Sequence, residues 1–202
     1  SGTVSARGTL LTASYDPSGF EGAGMIYGEW NGSDWTIELA AGGSLDYTGG
    51  MALVQAGDGS VHVASFDDVL GEIMLATRTG GEWTVTTVEA GGDALDVGYF
   101  SDMVVDPDGS TLHMVYLERA TASTGVVRYA RAGPGAFEMM DVVEVAGFSG
   151  SARDIATLDL DAFGRPVIAT QTKSDFTVVR LVDGAVQPIA SFLAASGITL
   201  GQ

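Results

Sequence analysis

Short runs in which apolar and polar residues alternate with period two follow one another along the whole chain, separated by turns rich in Asp, Gly, Ser and Pro. Met51, Leu53 and Gln55 fall on one face of such a run, and Ser101, Met103 and Val105 occupy the equivalent places later. The next runs are VHVASF at 61–66, HMVYL at 113–117 and PVIAT at 166–170. A third set reads IMLATR, VVRYAR and FTVVRL, and a fourth WTVTTV, FEMMDVV and AVQPIA. Alternation of this kind predicts half-buried β-strands of roughly five to seven residues. No stretch carries a 3.6-residue period, so an all-β chain is expected.

The strands come in groups of four that repeat about every fifty residues. TLLTASYD at 9–16 is matched by SVHVASFD at 60–67, and TGGMALVQ at 48–55 by the last eight residues, ASGITLGQ at 195–202. Trp35, Trp83 and Phe137 follow Gly-containing turns at one repeat position, where Val186 stands in the last repeat; Gly8, Gly59, Gly109 and Gly164 mark a second turn. Such a period without helices points to a solenoid or propeller. The expected architecture is a four-bladed β-propeller of four-stranded antiparallel blades spanning residues 1–202 as one domain. The C-terminal strand would return to complete blade one, because SGTVSARG opens the chain just before the turn between first and second strands. A ring would cover both faces of every blade. Two alternatives are a segment of a longer propeller and two copies paired into an eight-bladed ring.

The segments MVVDPDGSTLHMVYL at 103–117, VRYARAGPGAF at 127–137 and TLDLDAFGRPVIAT at 157–170 resemble the propeller repeats of exported bacterial proteins. With four repeats the architecture is similar to that of hemopexin-like domains, whose disulfide between the ends this cysteine-free chain cannot form. The resemblance implies an extracellular or cell-surface protein that binds a ligand or partner, and a fold alone does not settle function. Sialidase-like propellers carry an S-x-D-x-G-x-T-W turn and an arginine cluster at the rim, and this sequence has neither.

Charge narrows the partners. The chain carries 26 acidic and 9 basic residues, a formal charge of −17. Nucleic acid and anionic membrane surfaces both require clustered Lys and Arg, which the sequence lacks, and no apolar segment is long enough to span a bilayer. A cationic protein or a divalent cation fits that field better, a glycan is expected only from the loop residues described below, and the chain is expected as a monomer or as paired half-propellers. Without cysteine there is no thiolate nucleophile or thiolate metal site.

Candidate chemistry lies in the loops. His62 and His113 sit at equivalent positions that Leu11 and Val167 fill in the other repeats, which favours packed imidazoles satisfied by local hydrogen bonds. Asp106 and Asp108 in DPDG, with Asp159 and Asp161 in DLDAFG, match turns better than the calcium-loop pattern. Asp46 and Asp96 precede equivalent first strands and are the candidate ligands for a calcium ion in or near a central channel. On the same rim the loops between second and third strands bring Asp16, Asp67, Asp68, Glu118 and Asp175, and the first-strand approaches add Tyr47, Tyr99, Phe100 and Asp154. Aromatics among carboxylates suit sugar stacking or a protein anchor. The candidate ligand-binding set is therefore Asp46, Tyr47, Asp67, Asp68, Asp96, Tyr99, Phe100, Glu118 and Asp154. No catalytic residue is singled out, so a non-catalytic binding module is the first expectation. A glycoside-active hydrolase or lyase is the alternative enzyme class, and a structural segment of a larger assembly the third.

Overall fold

In a computed structural model of the chain, residues 2–4, 9–16, 24–42, 51–67, 69–91, 96–132, 136–147, 156–172 and 175–193 are described. They form sixteen strands in four antiparallel sheets, each built from four strands consecutive in sequence. Sheet 1 contains β1 (Gly2–Val4), β2 (Leu10–Asp16), β3 (Gly24–Trp30) and β4 (Trp35–Gly42); sheet 2 contains β5 (Met51–Gln55), β6 (Val61–Asp67), β7 (Glu72–Thr79) and β8 (Glu82–Glu89). Sheet 3 is β9 (Asp96–Val105), β10 (Leu112–Arg119), β11 (Thr124–Ala132) and β12 (Phe137–Ala146); sheet 4 is β13 (Ala156–Leu160), β14 (Pro166–Gln171), β15 (Asp175–Val182) and β16 (Ala185–Leu193). The all-β expectation holds, and among the described residues no helix is long and apolar enough to cross a membrane.

The expected strand exchange is corrected at the first sheet. Its inner position beside β2 is taken by Gly2–Val4, with Gly2 opposite Thr12 and Val4 opposite Leu10. These residues stand 51 positions before Leu53, Val54 and Gln55, and Leu53 opposite Val63 repeats the same register. A hairpin closed by a short turn loses far less chain entropy than pairing with the far end of the polypeptide. Residues 195–202, to which that edge was assigned, lie outside the described residues. A second correction concerns Asp96, Tyr99 and Phe100, expected in a loop. The backbone of all three belongs to β9, which extends to pair Asp96 with Arg119 and Tyr99 with Leu117, satisfying β10 backbone groups that would otherwise form a bare edge.

Every sheet carries one irregularity at a common place that the alternation does not reveal, and sheet 3 has further shifts between β9 and β10, at Val115/Leu117 and Leu117/Glu118. A register shift separates Met25 from Ile26, Ile73 from Met74, Val127 from Arg128 and Val178 from Val179, always between the third and fourth strands. A bulge at that point increases the local twist of the outer strand.

Because successive strand residues face opposite sides, each inner sheet contributes to two cores. Leu11, Tyr27 and Met25 of sheet 1 meet Val61, Val63 and Ala76 of sheet 2. Ala64, Ile73 and Leu75 meet Met114, Tyr116 and Ala130 across the boundary of sheets 2 and 3. Val115, Leu117 and Val127 meet Leu158, Ile168 and Val179 between sheets 3 and 4. The opposite face of sheet 1 leaves Leu10, Trp35 and Ile37 exposed.

Every described boundary also has a carboxylate of one sheet gripping the next. Glu38 accepts from Arg78 Nε and Nη2 at 2.7 and 2.6 Å and from Trp83 Nε1 at 2.9 Å. Glu89 accepts from the Tyr116 hydroxyl at 2.6 Å and pairs with Arg128, whose Nη1 also reaches Glu118 at 2.9 Å. Asp102 Oδ2 accepts from Thr157 Oγ1 at 2.8 Å and from Leu158 N at 2.9 Å.

Two stability measurements follow from this packing. Ile168 is fully buried, so Ile168→Ala is expected to cost about 2–5 kcal/mol, read as a lower urea midpoint with an unchanged slope. Burial by itself would raise the Glu38 carboxyl, but hydrogen bonds from Arg78 and Trp83 outweigh it and hold the group below its ordinary value. Its contribution is thus complete above the ordinary carboxylate range and lost as pH falls through the lowered folded value. Glu38→Gln should remove that acid-side loss and lower neutral-pH stability by about 1–3 kcal/mol, in urea titrations across pH 3 to 7.

Candidate functional site

A cleft of about 490 Å³ lies between sheets 3 and 4. The turn after β9 and the turn after β13 meet there, so it opens at the end of the sheets opposite the rim favoured by the sequence. Asp106, His113, Tyr129, Arg131, Glu138 and Arg165 contribute its polar lining, with Met139, Met140 and Leu181 as apolar wall.

Register assembles its central feature. His113 lies opposite Arg131 and Val115 opposite Tyr129 across the β10–β11 pair, which puts His113, Tyr129 and Arg131 on the face turned to sheet 4. Asp106 follows β9, directly beside the start of β10. His113 is buried, with Nε2 2.9 Å from Asp106 Oδ1 and Nδ1 2.5 Å from the Tyr129 hydroxyl. A carboxylate can only accept, so the ring hydrogen is assigned to Nε2, and Nδ1 accepts from Tyr129. The result is a continuous chain from Asp106 through the imidazole to a phenol at the wall of the cleft. Burial pushes the Tyr129 hydroxyl up to about 12; Arg131 opposes the rise, and Asp106 and Glu138 add to it.

In such a chain the imidazole is placed to receive the phenol proton, and Asp106 to stabilise the imidazolium that forms. The same logic orients a histidine beside a nucleophilic hydroxyl in hydrolytic triads. Arg131 is about half exposed, and its Glu138 contact is loose at 4.0 Å. Arg165 is tied more firmly to Asp161 at 2.7 Å and stacks 4.7 Å from the centre of the exposed Phe163 ring.

The equivalent His62 makes a different pair of contacts, to Ser60 Oγ at 3.2 Å and Thr77 Oγ1 at 3.1 Å. Burial lowers its basicity, against a smaller raising effect of Asp58. It is the satisfied packed imidazole that the sequence suggests. His113 is satisfied too, but by two groups with acid–base chemistry of their own. The turn reading holds for Asp108 and Asp161. Asp108 accepts from Ser110 N at 2.9 Å, and Asp161 from Phe163 N and Arg165 N at 2.9 and 3.1 Å. The Arg165 hydrogen bond leads the effects that lower Asp161 to about 2.

Of the sequence-derived rim set, Asp46, Tyr47, Asp68 and Asp154 lie outside the described residues, as do the side chains of Asp96, Tyr99 and Phe100. Asp67 is wholly buried at the end of β6, where Oδ1 accepts from Val69 N and Leu70 N at 3.0 and 3.1 Å. Glu118 is engaged by Arg128. The two acids face different boundaries, Asp67 towards sheet 1 and Glu118 towards sheet 2. Among the described residues no group of three or more His, Cys, Asp or Glu side chains is arranged to hold a metal ion. Tyr129 and Arg131 appear in the sequence only as part of a strand, and nothing but the His113 register links them to Asp106.

No protein-family profile matches the sequence, and no curated protein is significantly similar to it. Solved structures do share its fold. An ulvan lyase of a polysaccharide lyase family is 9% identical over 96% of this chain and 55% of its own, with a TM-score of 0.65. A lectin of Aleuria aurantia is 13% identical over 98% of this chain and 64% of its own, with a TM-score of 0.61. A protein of unknown function from Dyadobacter fermentans is 15% identical over 96% of this chain and 67% of its own, with a TM-score of 0.60. The chain therefore spans about half to two thirds of these three proteins, and what it shares with them is the all-β fold.

Proposed function

We propose that the protein acts on a saccharide in the cleft between sheets 3 and 4, with Tyr129 as the proton-transferring group of a glycoside-cleaving enzyme. The observation that supports this most is the hydrogen-bonded chain from Asp106 through His113 to Tyr129. Its phenol holds a proton at neutral pH and has a base within hydrogen-bond reach, which general acid–base catalysis requires. Arg131 beside it suits a sugar carboxylate. The structurally similar ulvan lyase has been seen bound to a glucuronate-containing saccharide, and an acidic glycan is accordingly the substrate class proposed here. Cleavage by elimination fits this set better than hydrolysis, because Asp106 is committed to His113 and is not free to serve in a glycosidase carboxylate pair.

A second reading has its own support in the exposed Phe163 ring stacked on Arg165 at the cleft edge. An aromatic face of this kind binds sugars without chemistry, and the Aleuria aurantia lectin is a saccharide-binding relative in fold. The two readings separate by experiment. In a screen of acidic polysaccharides monitored for unsaturated products near 232 nm, the enzyme reading expects turnover that Tyr129→Phe and His113→Ala each reduce about 10²–10⁴-fold, with oligosaccharide affinity in calorimetry little changed for Tyr129→Phe. Saturable binding without turnover, lost on Phe163→Ala and indifferent to Tyr129→Phe, would leave the lectin reading.

The four sheets are read as blades of a β-propeller. Leu10, Trp35 and Ile37 on the outer face of sheet 1 then need a neighbouring blade. Paired chains are the arrangement expected, and light scattering of the eluted peak should give a mass near twice the 20.7 kDa of one chain; a peak at the single-chain mass would instead indicate closure within one chain.

A further inference from the structure

The upper ends of the sheet boundaries, where the second strands finish, carry a polar layer that repeats in position but not in charge. In sheet 3 it consists of Tyr116 and Glu118 of β10 with Arg128 opposite Tyr116 on β11, and Glu89 reaches in from sheet 2. The carboxylates there are matched by a guanidinium. In sheet 4 the same positions are Thr170 of β14 and Thr172 just beyond its end, with Thr177 opposite Thr170 on β15. Neither a carboxylate nor an arginine stands at those three places. In sheet 2 the positions are Ser65 and Asp67 of β6 with Met74 opposite Ser65 on β7, and Ala41, at the place corresponding to Glu89, comes from sheet 1. Here the carboxylate is kept and the arginine is replaced by a thioether.

Burial makes this mismatch consequential. Ser65 and Asp67 are both fully inaccessible, and both lie on the face of β6 turned to sheet 1, two residues apart. Asp67 Oδ1 is spent on the turn amides of Val69 and Leu70, whereas Oδ2 has no hydrogen-bond partner and neither does Ser65 Oγ. Two orphaned buried oxygens on one face, one of them anionic, are costly unless something positive meets them. Met74, packed among the apolar residues of that boundary, supplies no positive charge.

We propose that a calcium ion binds between sheets 1 and 2, held by Asp67 Oδ2 and Ser65 Oγ, in the role that the Arg128 guanidinium fills one repeat later. Calcium is the fitting cation because it accepts hard oxygen donors of mixed type in irregular geometry, with main-chain carbonyls or water completing the shell, whereas magnesium demands a regular octahedron and parts reluctantly with its waters. The site is independent of the cleft between sheets 3 and 4 and of the reading given to that cleft. It would act on stability, by matching the buried oxygens of Asp67 and Ser65 on the sheet 2 side of that boundary.

The test uses the whole chain, stripped with EDTA and dialysed, then followed by thermal unfolding and by calorimetric titration with calcium chloride. The wild type is expected to bind one ion per chain, with its midpoint rising by about 5–10 °C when calcium is about a hundredfold above its dissociation constant. Asp67→Asn keeps Oδ1 for the turn and removes only the anionic oxygen, so it should fold and lose both the binding and the shift. Met74→Arg recreates the arrangement of sheet 3 and should lose the calcium response while keeping the calcium-loaded midpoint. Should Met74→Arg fail to fold, Ser65→Ala, with calcium affinity reduced at least tenfold, stands in for it. No binding by the wild type, or binding that persists unchanged in Asp67→Asn, would overturn the assignment.

Discussion

A four-stranded sheet with apolar residues on both faces cannot bury itself, and most of the organisation of this protein follows from that constraint. Each hairpin set has the residues for its own ladder, but the side chains above and below that ladder reach the interior only against the next sheet. The three cores are accordingly boundary cores, each shared between sheets adjacent in sequence. The carboxylates that cross these boundaries add direction to an otherwise non-directional contact. Glu38, Glu89 and Asp102 each hold polar groups of the following sheet, which fixes how far and at what angle two apolar faces can slide.

The candidate cleft arises where this scheme loosens. At the lower end of the boundary between sheets 3 and 4 the polar turns after β9 and β13 meet over a cleft instead of an apolar core. Polar residues that would be satisfied by packing elsewhere are satisfied there by one another. His113 and His62 occupy the same repeat position, yet one is flanked by hydroxyls of Ser and Thr and the other by a carboxylate and a phenol. A repeat thus supplies the scaffold position, and divergence of its neighbours decides which groups meet the imidazole there.

The second, third and fourth strands were legible in the sequence because alternation, turn glycines and the repeat period agree with one another. The first strands were less so. Gly2–Val4 is short and contains a glycine, so it carries almost no alternation, and the approach to Met103 looks like a loop because its pairing partner, the end of β10, sets its conformation. The bulges were invisible because an inserted residue leaves no compositional mark. The cleft was hidden for a different reason: Asp106 was fully explained as a turn residue, His113 as a packed one and Tyr129 as part of a strand. Each local account was adequate, and only the register of three strands shows that the groups touch. The buried Asp67 shows the converse, since its polarity suggested a rim residue and only its burial reveals the unmatched charge.

The repeated bulge between third and fourth strands has a bearing on solubility. Four sheets present four outer strands, each with backbone groups along a free edge that could recruit another such edge from a neighbouring molecule. A two-against-one mismatch placed at the same point in every sheet twists that edge away from the flat geometry such recruitment needs. Acidic side chains along it, among them Glu82, Glu138, Asp141 and Glu144, add repulsion between approaching copies. The strong negative charge of the chain then acts together with backbone shape as a guard against fibre-like edge growth.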